Sequence, residues 1–389
     1  MTTKSSCFLF CFVLALGLAA PAVAWDLNDT SEPGSVIVFH KFISGFLSDQ
    51  PATQFEISAT CPKDWTCTGG QTVHLRAHWV CPPDDSGSVC REQDFNLDVT
   101  VNGTVVFDAA GNGASSPPCS RGYLIAWVID DTSTGNPIKF DSLIGDAVIR
   151  ASEFGARAYN ALPIKAAEGL GTTDPTAADT GGALAFDGSH YKMVTGKIFG
   201  TVRYESTLPP IRTDLTLLTL DVHSNLPNEL TSVSLNFFNE GEKLESTGTN
   251  FTCWTEQSLT SIDQNLNTSF GTKGLVESTS ATQPSKGDVT LVGIVETEED
   301  FTKTLPADAS GFVTINLLDL NNLPANCFRR NICIPVPFDG CITIFDFVQC
   351  TVNTHVDVNF TGVRDYSYSL YDDSVGVPTT FEPTPAPPR

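Results

Sequence analysis

Short segments in which apolar and polar residues alternate recur along most of this chain, and this period of two constrains the fold more than any other feature. The segment from 72 to 81 shows it clearly, since Val73, Leu75 and Trp79 fall on one side while His74 and His78 fall on the other. Val, Thr, Ile and Phe dominate these segments, and Gly, Asn, Asp and Pro separate them. The pattern predicts a mainly β protein whose antiparallel strands each bury one face.

The chain has 389 residues, which is long enough for more than one domain. Pro209 and Pro210 interrupt the strand pattern and mark the best boundary. We therefore predict two tandem antiparallel β-sandwich domains, of the immunoglobulin-like or jelly-roll-like kind, stapled by disulfides. The first spans 31–205, and the second spans 206–360 and is cysteine-rich at its C-terminal end. A tail at 361–389 is rich in Pro and Thr and is predicted to be disordered.

One segment departs from the period of two. Between 142 and 162 the apolar residues recur at helical spacing, Asp141 or Ser142 could be the N-cap, and Pro163 would end the helix. This spacing predicts one accessory helix near 142–162 that covers an open face or end of a sandwich. Gly145 and Gly155 disfavour a helix, so a pair of short strands is the alternative.

The clearest local turn signal lies between 99 and 106. Asn102 and Gly103 stand between two alternating runs. This dipeptide is typical of a type I′ turn, because both central residues of that turn need positive φ. The pattern predicts a β-hairpin here.

The first 24 residues have the pattern of a secretory signal peptide. Lys4 supplies the positive charge, an unbroken apolar run follows from 7 to 20, and Ala22 and Ala24 are small residues at the cleavage positions. We expect the mature chain to begin at Trp25. The apolar run is too short to span a membrane. The expected location is secreted, extracellular or at the cell surface, or periplasmic in a Gram-negative bacterium.

Cysteine usage agrees with an oxidising compartment. Removal of the leader takes two of the 12 cysteines and leaves an even number, which indicates disulfides. No Cys-x-x-Cys pair occurs, so a zinc site is disfavoured. Cys81 and Cys90 flank a turn-forming loop, and we predict that they join the ends of two adjacent strands. The cysteines predicted to form disulfides are Cys61, Cys67, Cys81, Cys90, Cys119, Cys253, Cys327, Cys333, Cys341 and Cys350.

The charge balance restricts the partners. The chain has 22 Lys and Arg against 45 Asp and Glu, a net charge of −23. A nucleic-acid-binding protein needs cations for the phosphates, and so does a protein that docks on anionic lipid. We therefore expect no nucleic-acid partner and no docking on anionic lipid. Because no stretch after the leader is long and apolar enough, we also expect no membrane span.

The common catalytic signatures are missing from the sequence. It contains no Gly-x-Ser-x-Gly, no His-Glu-x-x-His and no phosphate-binding or dinucleotide-binding glycine motif. His74 and His78 share one side of a predicted strand, but their separation of roughly 13 Å is too large for one metal ion. We expect both histidines to point outward as polar residues, and Trp79 and Trp127 to lie in the core.

Acidic clusters in predicted loops are the best candidates for a metal site. Calcium prefers several loop oxygens, and a structural Ca²⁺ is the one cofactor that the sequence indicates. None of the clusters matches a known calcium loop, so solvated acidic turns are the alternative. The calcium candidates are Asp84, Asp85, Asp130, Asp131, Glu296, Glu298, Glu299 and Asp300.

These features favour a non-enzymatic protein with a role in adhesion, binding or envelope structure. Its partner would be a second copy of itself, or an extracellular glycan or protein. The alternative is a secreted carbohydrate-active hydrolase that uses paired carboxylates. A deep cleft lined by paired carboxylates would favour the enzyme, whereas exposed strand edges would favour assembly.

Overall fold

The structure is a computed structural model that describes residues 32–44, 52–63, 65–84, 89–110, 116–131, 135–150, 156–167, 169–171, 183–207, 210–223, 226–305, 327–336, 340–350, 358–370 and 376–383. These ranges hold one short helix, α1 (Leu259–Ile262), and otherwise strands and connections. The strands are β1 (Val36–Ile43), β2 (Gln54–Ala59), β3 (Thr72–Cys81), β4 (Arg91–Thr100), β5 (Thr104–Asp108), β6 (Arg121–Ile129), β7 (Leu143–Arg150), β8 (Ala156–Asn160), β9 (Leu162–Ile164), β10 (Leu184–Phe186), β11 (Val194–Thr195), β12 (Phe199–Arg203), β13 (Ser206–Thr207), β14 (Pro210–Leu218), β15 (Thr231–Asn239), β16 (Leu244–Phe251), β17 (Trp254–Ser258), β18 (Lys273–Gln283), β19 (Gly287–Asp288), β20 (Val292–Leu305), β21 (Cys327–Val336), β22 (Gly340–Cys350), β23 (Val358–Leu370), β24 (Gly376–Val377) and β25 (Thr379–Phe381).

Most of the strands belong to four large sheets. Sheet A has the order β4-β3-β6-β1-β9, and sheet B has the order β5-β2-β7-β8. Sheet C has the order β13-β14-β20-β23, with β17 also paired to β14. Sheet D has the order β12-β18-β15-β16, with β19 paired to β18. Pairing within these sheets is antiparallel. The prediction of a mainly β protein is confirmed, but the sheets are arranged as a propeller-like ring and not clearly as two tandem sandwiches.

Three groups of buried side chains hold the sheets together. The first core contains residues of sheets A and B, such as Phe39 and Phe55. The second core contains residues of sheets C and D, such as Leu217 and Leu235. The central core contains residues of sheets A and C together with β10 and Phe381. Sheet A is therefore buried on both faces, which explains why seven consecutive residues of β1 are buried.

The predicted tryptophan core is confirmed. Trp79 is fully buried in the first core, where its ring lies against those of Phe42, Phe55 and Phe95. Trp127 is buried in the central core, on the opposite face of sheet A. Aromatic rings bury large apolar areas, so both residues help to fix how the sheets pack.

The predicted accessory helix at 142–162 is wrong. The described residues of this segment form β7 and β8, an antiparallel pair at the edge of sheet B. Leu143, Ala147 and Ile149 are buried in the first core, whereas Ile144 is exposed. The apolar residues that suggested a helical period thus occupy both faces of a strand. Gly145 is required because a Cβ there would lie 2.5 Å from the carbonyl oxygen of Glu56.

The predicted hairpin at Asn102 and Gly103 is also wrong. Asn102 does have a positive φ of 62°. However, β4 pairs with β3 in sheet A, whereas β5 pairs with β2 in sheet B. The turn carries the chain across the end of the first core, and its backbone bonds to Ala59 of β2. A turn sequence constrains the local φ angles. It does not determine which strands the flanking segments pair with, because that depends on the sheet in which each segment buries its apolar face.

Part of the predicted disordered tail is ordered. Strand β23 runs past the predicted boundary to Leu370, and β24 and β25 pair with β11 and β10. Phe381 is fully buried in the central core, where its ring contacts those of His78 and Trp127. A single large apolar residue therefore anchors a segment whose composition is typical of disorder.

The structure contains three disulfides among its described side chains, which confirms the prediction that the chain forms disulfide bonds. They join Cys61 to Cys67, Cys81 to Cys119 and Cys90 to Cys253. The predicted pair of Cys81 with Cys90 is wrong, because Cys81 belongs to the first core and Cys90 to the central core, on the other face of sheet A. The side chains of Cys327, Cys333, Cys341 and Cys350 lie outside the described part, although the register places Cys327 opposite Cys350. Within the described ranges, no helix has the length and apolar composition needed to cross a membrane.

Candidate functional site

In the part of the chain that the structure describes, the candidate ligand site is a cleft at one end of sheet A, which we call the Trp65 cleft. It encloses about 150 Å³ where β3 begins and β6 ends. Its lining includes Trp65, Gln71, His74, Asp130, Phe140 and Gly171. An aromatic surface with a few polar groups recurs in small-ligand sites, and this cleft is smaller than the roughly 300–1,000 Å³ that encloses a whole drug-sized ligand.

Trp65 is held in a defined position although the residue is 41% exposed. It lies inside the loop closed by the Cys61–Cys67 disulfide, and its backbone N–H donates to the carbonyl of Pro62 at 3.1 Å. Its ring meets the edge of Phe140 with a centroid distance of 5.9 Å. The loop therefore presents an aromatic ring to solvent at little further cost in conformational entropy.

Gly171 determines how closely the chain can approach this ring. It has a φ of +81°, and a Cβ at this position would lie 2.3 Å from Cη2 of Trp65. Any other residue would be strained there and would push the ring aside. The sequence does not reveal this contact, because 171 and 65 are distant in the chain.

The polar wall of the cleft is already organised by hydrogen bonds. Nδ1 of His74 lies 2.7 Å from a carboxylate oxygen of Asp98, the residue opposite it on β4. Asp130 accepts hydrogen bonds from the backbone N–H groups of Asp131 at 2.7 Å and Asn136 at 3.0 Å. Its other oxygen accepts from the side chain of Asn136 at 3.1 Å. Asp130 therefore closes its own turn.

The calcium candidates fall in different places. Asp130 and Asp131 lie in the turn just described, and Asp84 is exposed. Asp85 and the side chains of Glu299 and Asp300 lie outside the described part. The loop predicted around 296–300 is wrong, because these residues belong to strand β20. Among the described residues, no three His, Cys, Asp or Glu side chains form a group that could hold a metal ion.

Glu296 and Glu298 instead take part in an alternating row of charges, which we call the ionic chain. Its members are, in order, Arg121, Glu256, Lys41, Glu296, Arg157 and Glu298. The cations come from sheets A and B, and the carboxylates come from β17 and β20 of sheet C. The ionic chain therefore links sheets rather than forming part of a cleft.

Lys41 is the centre of the ionic chain. Its ammonium group lies 2.6 Å from Glu256 and also bonds to Glu296, and the three side chains are almost completely buried. Burial by itself raises the pKa of Glu256, but the charges of Lys41 and Arg121 outweigh this effect and hold the pKa below its ordinary value. Both carboxylates are paired with the ammonium group of Lys41, so neither is a free side chain in a cleft.

The predicted outward position of His78 is wrong. His74 is partly exposed, but His78 is fully buried and stacks on Trp127 with a centroid distance of 4.8 Å. Burial lowers the pKa of His78, although the nearby carboxylate of Glu92, 3.6 Å from its Nδ1, opposes this shift. The period of two places both histidines on one side of β3, but the central core covers only the His78 end.

A second polar cluster could not be found from the sequence, because its members come from three distant segments. Nε2 of His223 lies 3.3 Å from Asp221, and its Nδ1 lies 2.8 Å from Glu382. Lys286 donates to Asp221 at 2.6 Å and also contacts His223. The hydrogen bond to Asp221 raises the pKa of His223, against the effect of burial, and Glu382 adds to the rise.

Comparison with known proteins gives no family for this chain: no family model matches it, and no curated protein matches it. The functional interpretation of the Trp65 cleft therefore depends on its own geometry and chemistry. Fold alone would not supply a function in any case, since unrelated activities share β architectures.

Proposed function

We propose that this chain is a secreted or cell-surface binding protein without catalytic activity, and that the Trp65 cleft contacts an extracellular glycan. The observation that carries the proposal is the exposed ring of Trp65, fixed beside hydrogen-bonding side chains. A sugar ring offers both an apolar C–H face and hydroxyl groups. An aromatic ring next to Gln71 and His74 suits that combination.

The chemistry of the cleft supports binding rather than hydrolysis. A glycosidase needs two carboxyl groups across the scissile bond, one of them able to donate a proton. Among the residues that line the cleft, Asp130 is the carboxylate, and both of its oxygens accept hydrogen bonds within its own turn. The buried Glu256 and Glu296 are paired with cations. These contacts favour a role in binding.

We also propose that the chain acts outside the cytoplasm, with residues 1–24 removed as a signal peptide. The three disulfides are compatible with this location. We retain two sandwich domains, 31–205 and 206–360, as part of the proposal. The first core between sheets A and B and the second core between sheets C and D support a division into two units, although Ile198, Val202 and Tyr204, which precede the boundary, pack in the second core.

The test is glycan binding by the purified mature protein, on a glycan array and then by titration calorimetry. Trp65→Ala should weaken binding at least tenfold, about 1.4 kcal/mol, because it removes the ring that packs on the sugar. Leu226→Ala is the matched control, since Leu226 is also exposed but does not line the cleft. This variant should bind like the wild type.

Two results would contradict the proposal. One is equal affinity of the wild type and Trp65→Ala for the same glycan, or a wild type that binds no glycan on the array. The other is release of reducing ends from a polysaccharide by the wild type, which would show hydrolysis.

A further inference from the structure

We propose that Asn250, near the end of the edge strand β16, carries an N-linked glycan that covers the open edge of sheet D. Asn250, Phe251 and Thr252 form the acceptor sequence Asn-x-Ser/Thr, in which the middle residue is not proline. The inference rests on the proposed export of the chain with removal of its signal peptide. It does not depend on the Trp65 cleft.

The modification is a group transfer whose donor is an oligosaccharide carried on a lipid pyrophosphate. Nδ2 of Asn250 forms a bond to C1 of the first sugar, while the bond between C1 and the phosphate oxygen breaks. The lipid pyrophosphate leaves with that electron pair, and the amide nitrogen loses one proton to a base of the transferase. Nothing is oxidised or reduced. The product is a bulky, strongly hydrated group on the protein surface.

The other acceptor sequences do not distinguish themselves in the same way. Five such sequences begin at Asn28, Asn102, Asn250, Asn267 and Asn359. Asn28 and the side chain of Asn359 lie outside the described part. Asn102 has a φ of 62°, a conformation that favours asparagine, so its turn accounts for it. In Asn267, both polar atoms of the side chain bond to backbone groups of its own turn, at 2.6 and 2.8 Å.

The fold gives Asn250 no comparable reason to be asparagine. The residue lies inside a β-strand, where asparagine is disfavoured and threonine or valine would be preferred. It is exposed, and its side chain forms no hydrogen bond with another described residue. Its amide nitrogen is therefore available at the surface, which is what an attached sugar requires.

The surroundings of Asn250 leave room for a sugar. Asn250 lies opposite Ser232 on β15, and Ser234 and Gly248 form the next pair along the same face. Ser280 on β18 lies opposite Ser234. These neighbours are small and uncharged, so a first sugar can lie across them without steric conflict. The serine hydroxyls can also form hydrogen bonds with the sugar hydroxyls.

The edge of sheet D is what such a glycan would protect. In the described part of the chain, β16 pairs with β15 alone. The strand carries Glu245 near its start, but residues 246–251 contain neither charge nor proline. Natural edge strands normally carry such features because they prevent pairing with another chain. A glycan at Asn250 stands at the uncharged end of β16 and blocks pairing by its bulk.

The test is site mapping on the protein purified from the cells that make it. Digestion with a peptide-N-glycosidase in heavy-oxygen water converts a glycosylated asparagine to an isotope-labelled aspartate, which peptide mass spectrometry locates. We expect the label at Asn250 after digestion and none without the enzyme. N-terminal sequencing of the same sample shows whether the leader has been removed.

Two substitutions of Thr252 form a matched pair. Thr252→Val keeps the shape of the side chain but removes the acceptor hydroxyl, so it should abolish the glycan at Asn250. Thr252→Ser keeps a hydroxyl and should retain the glycan. Light scattering at raised protein concentration should show faster self-association of Thr252→Val than of Thr252→Ser, because the edge of β16 is then uncovered.

The outcomes separate this proposal from the proposed export. An unlabelled Asn250 in a protein that begins at Trp25 would overturn the glycan and leave export intact. An unlabelled Asn250 in a protein that retains its leader would contradict both. Equal self-association of the two Thr252 variants would overturn the protective role of the glycan at the edge of sheet D.

Discussion

Lys41 shows how burial and charge act together at a single residue. Its side chain is almost inaccessible, yet it carries a charge shared between Glu256 and Glu296. A buried charge is tolerated only when it is paired, because water no longer solvates it. The pair adds little to stability over an apolar contact, but the loss of one member leaves an uncompensated charge in the interior.

We predict that Lys41→Met lowers the free energy of unfolding by about 3–5 kcal/mol. The reason is that Glu256 and Glu296 would remain buried without the cation between them, and each would keep a single cationic partner, Arg121 or Arg157. Lys165→Met is the control, since Lys165 forms a more exposed pair with Glu32 and its loss should cost less than about 1 kcal/mol. Urea denaturation of the three proteins measures both values. Equal stability of Lys41→Met and the wild type would show that the buried pairs are not needed.

Among the elements, the C-terminal segment that contains β24 and β25 packs back onto strands from the middle of the chain. It pairs with β11 and β10, places Phe381 in the central core and brings Glu382 to His223. Because a histidine can take up a proton near neutral pH, we expect this attachment to depend on pH. Asp221, Glu382 and Lys286 are the charged groups that face His223.

We predict that His223 stabilises the protein more in mildly acidic than in alkaline solution. Its pKa in the folded chain is raised above the ordinary 6.5, so its contribution is complete below 6.5 and is lost as the pH rises through the raised value. The stability difference between the wild type and His223→Gln should therefore fall by roughly 0.5–1 kcal/mol from about pH 5.5 to about pH 8.5. Glu382→Gln should reduce this pH dependence, because it removes one of the carboxylates. The same difference at both pH values would contradict the assignment.

At the scale of the whole molecule, one disulfide joins distant parts of the chain. Cys90 and Cys253 are 163 residues apart and lie in the central core between sheets A and C. The Cys61–Cys67 bond spans only six residues. In the chain-entropy account, a cross-link that closes a longer loop restricts the unfolded state more.

We predict that Cys90→Ser with Cys253→Ser lowers the free energy of unfolding by about 2–5 kcal/mol. Cys61→Ser with Cys67→Ser should cost clearly less, because it opens a much shorter loop. Guanidinium denaturation of each double variant under non-reducing conditions provides the comparison. A larger loss from the short loop than from the long one would contradict the prediction.

The extent to which sequence predicts this molecule differs from element to element. Strand β3 was predicted correctly, because Val73, Leu75 and Trp79 alternate toward the first core. The segment of β7 was not, because Ile144 is apolar but exposed, and so mimics a helical period. The Trp65 cleft was not predicted at all, since its shape depends on Gly171 approaching Trp65 from a remote loop.

The sequence by itself determined the β class, the presence of disulfides among its cysteines and the burial of Trp79 and Trp127, because alternation, cysteine content and aromatic size act locally. Tertiary structure alone decided which sheet each strand joins, that Cys81 bonds to Cys119 and not to Cys90, and that Glu296 pairs with Lys41. It also decided that His78 is buried while His74 is not. The physical reason is that each of these outcomes depends on which distant segment covers a given face of a strand. The alternation of apolar and polar residues shows that one face is buried, but it does not show which segment buries it.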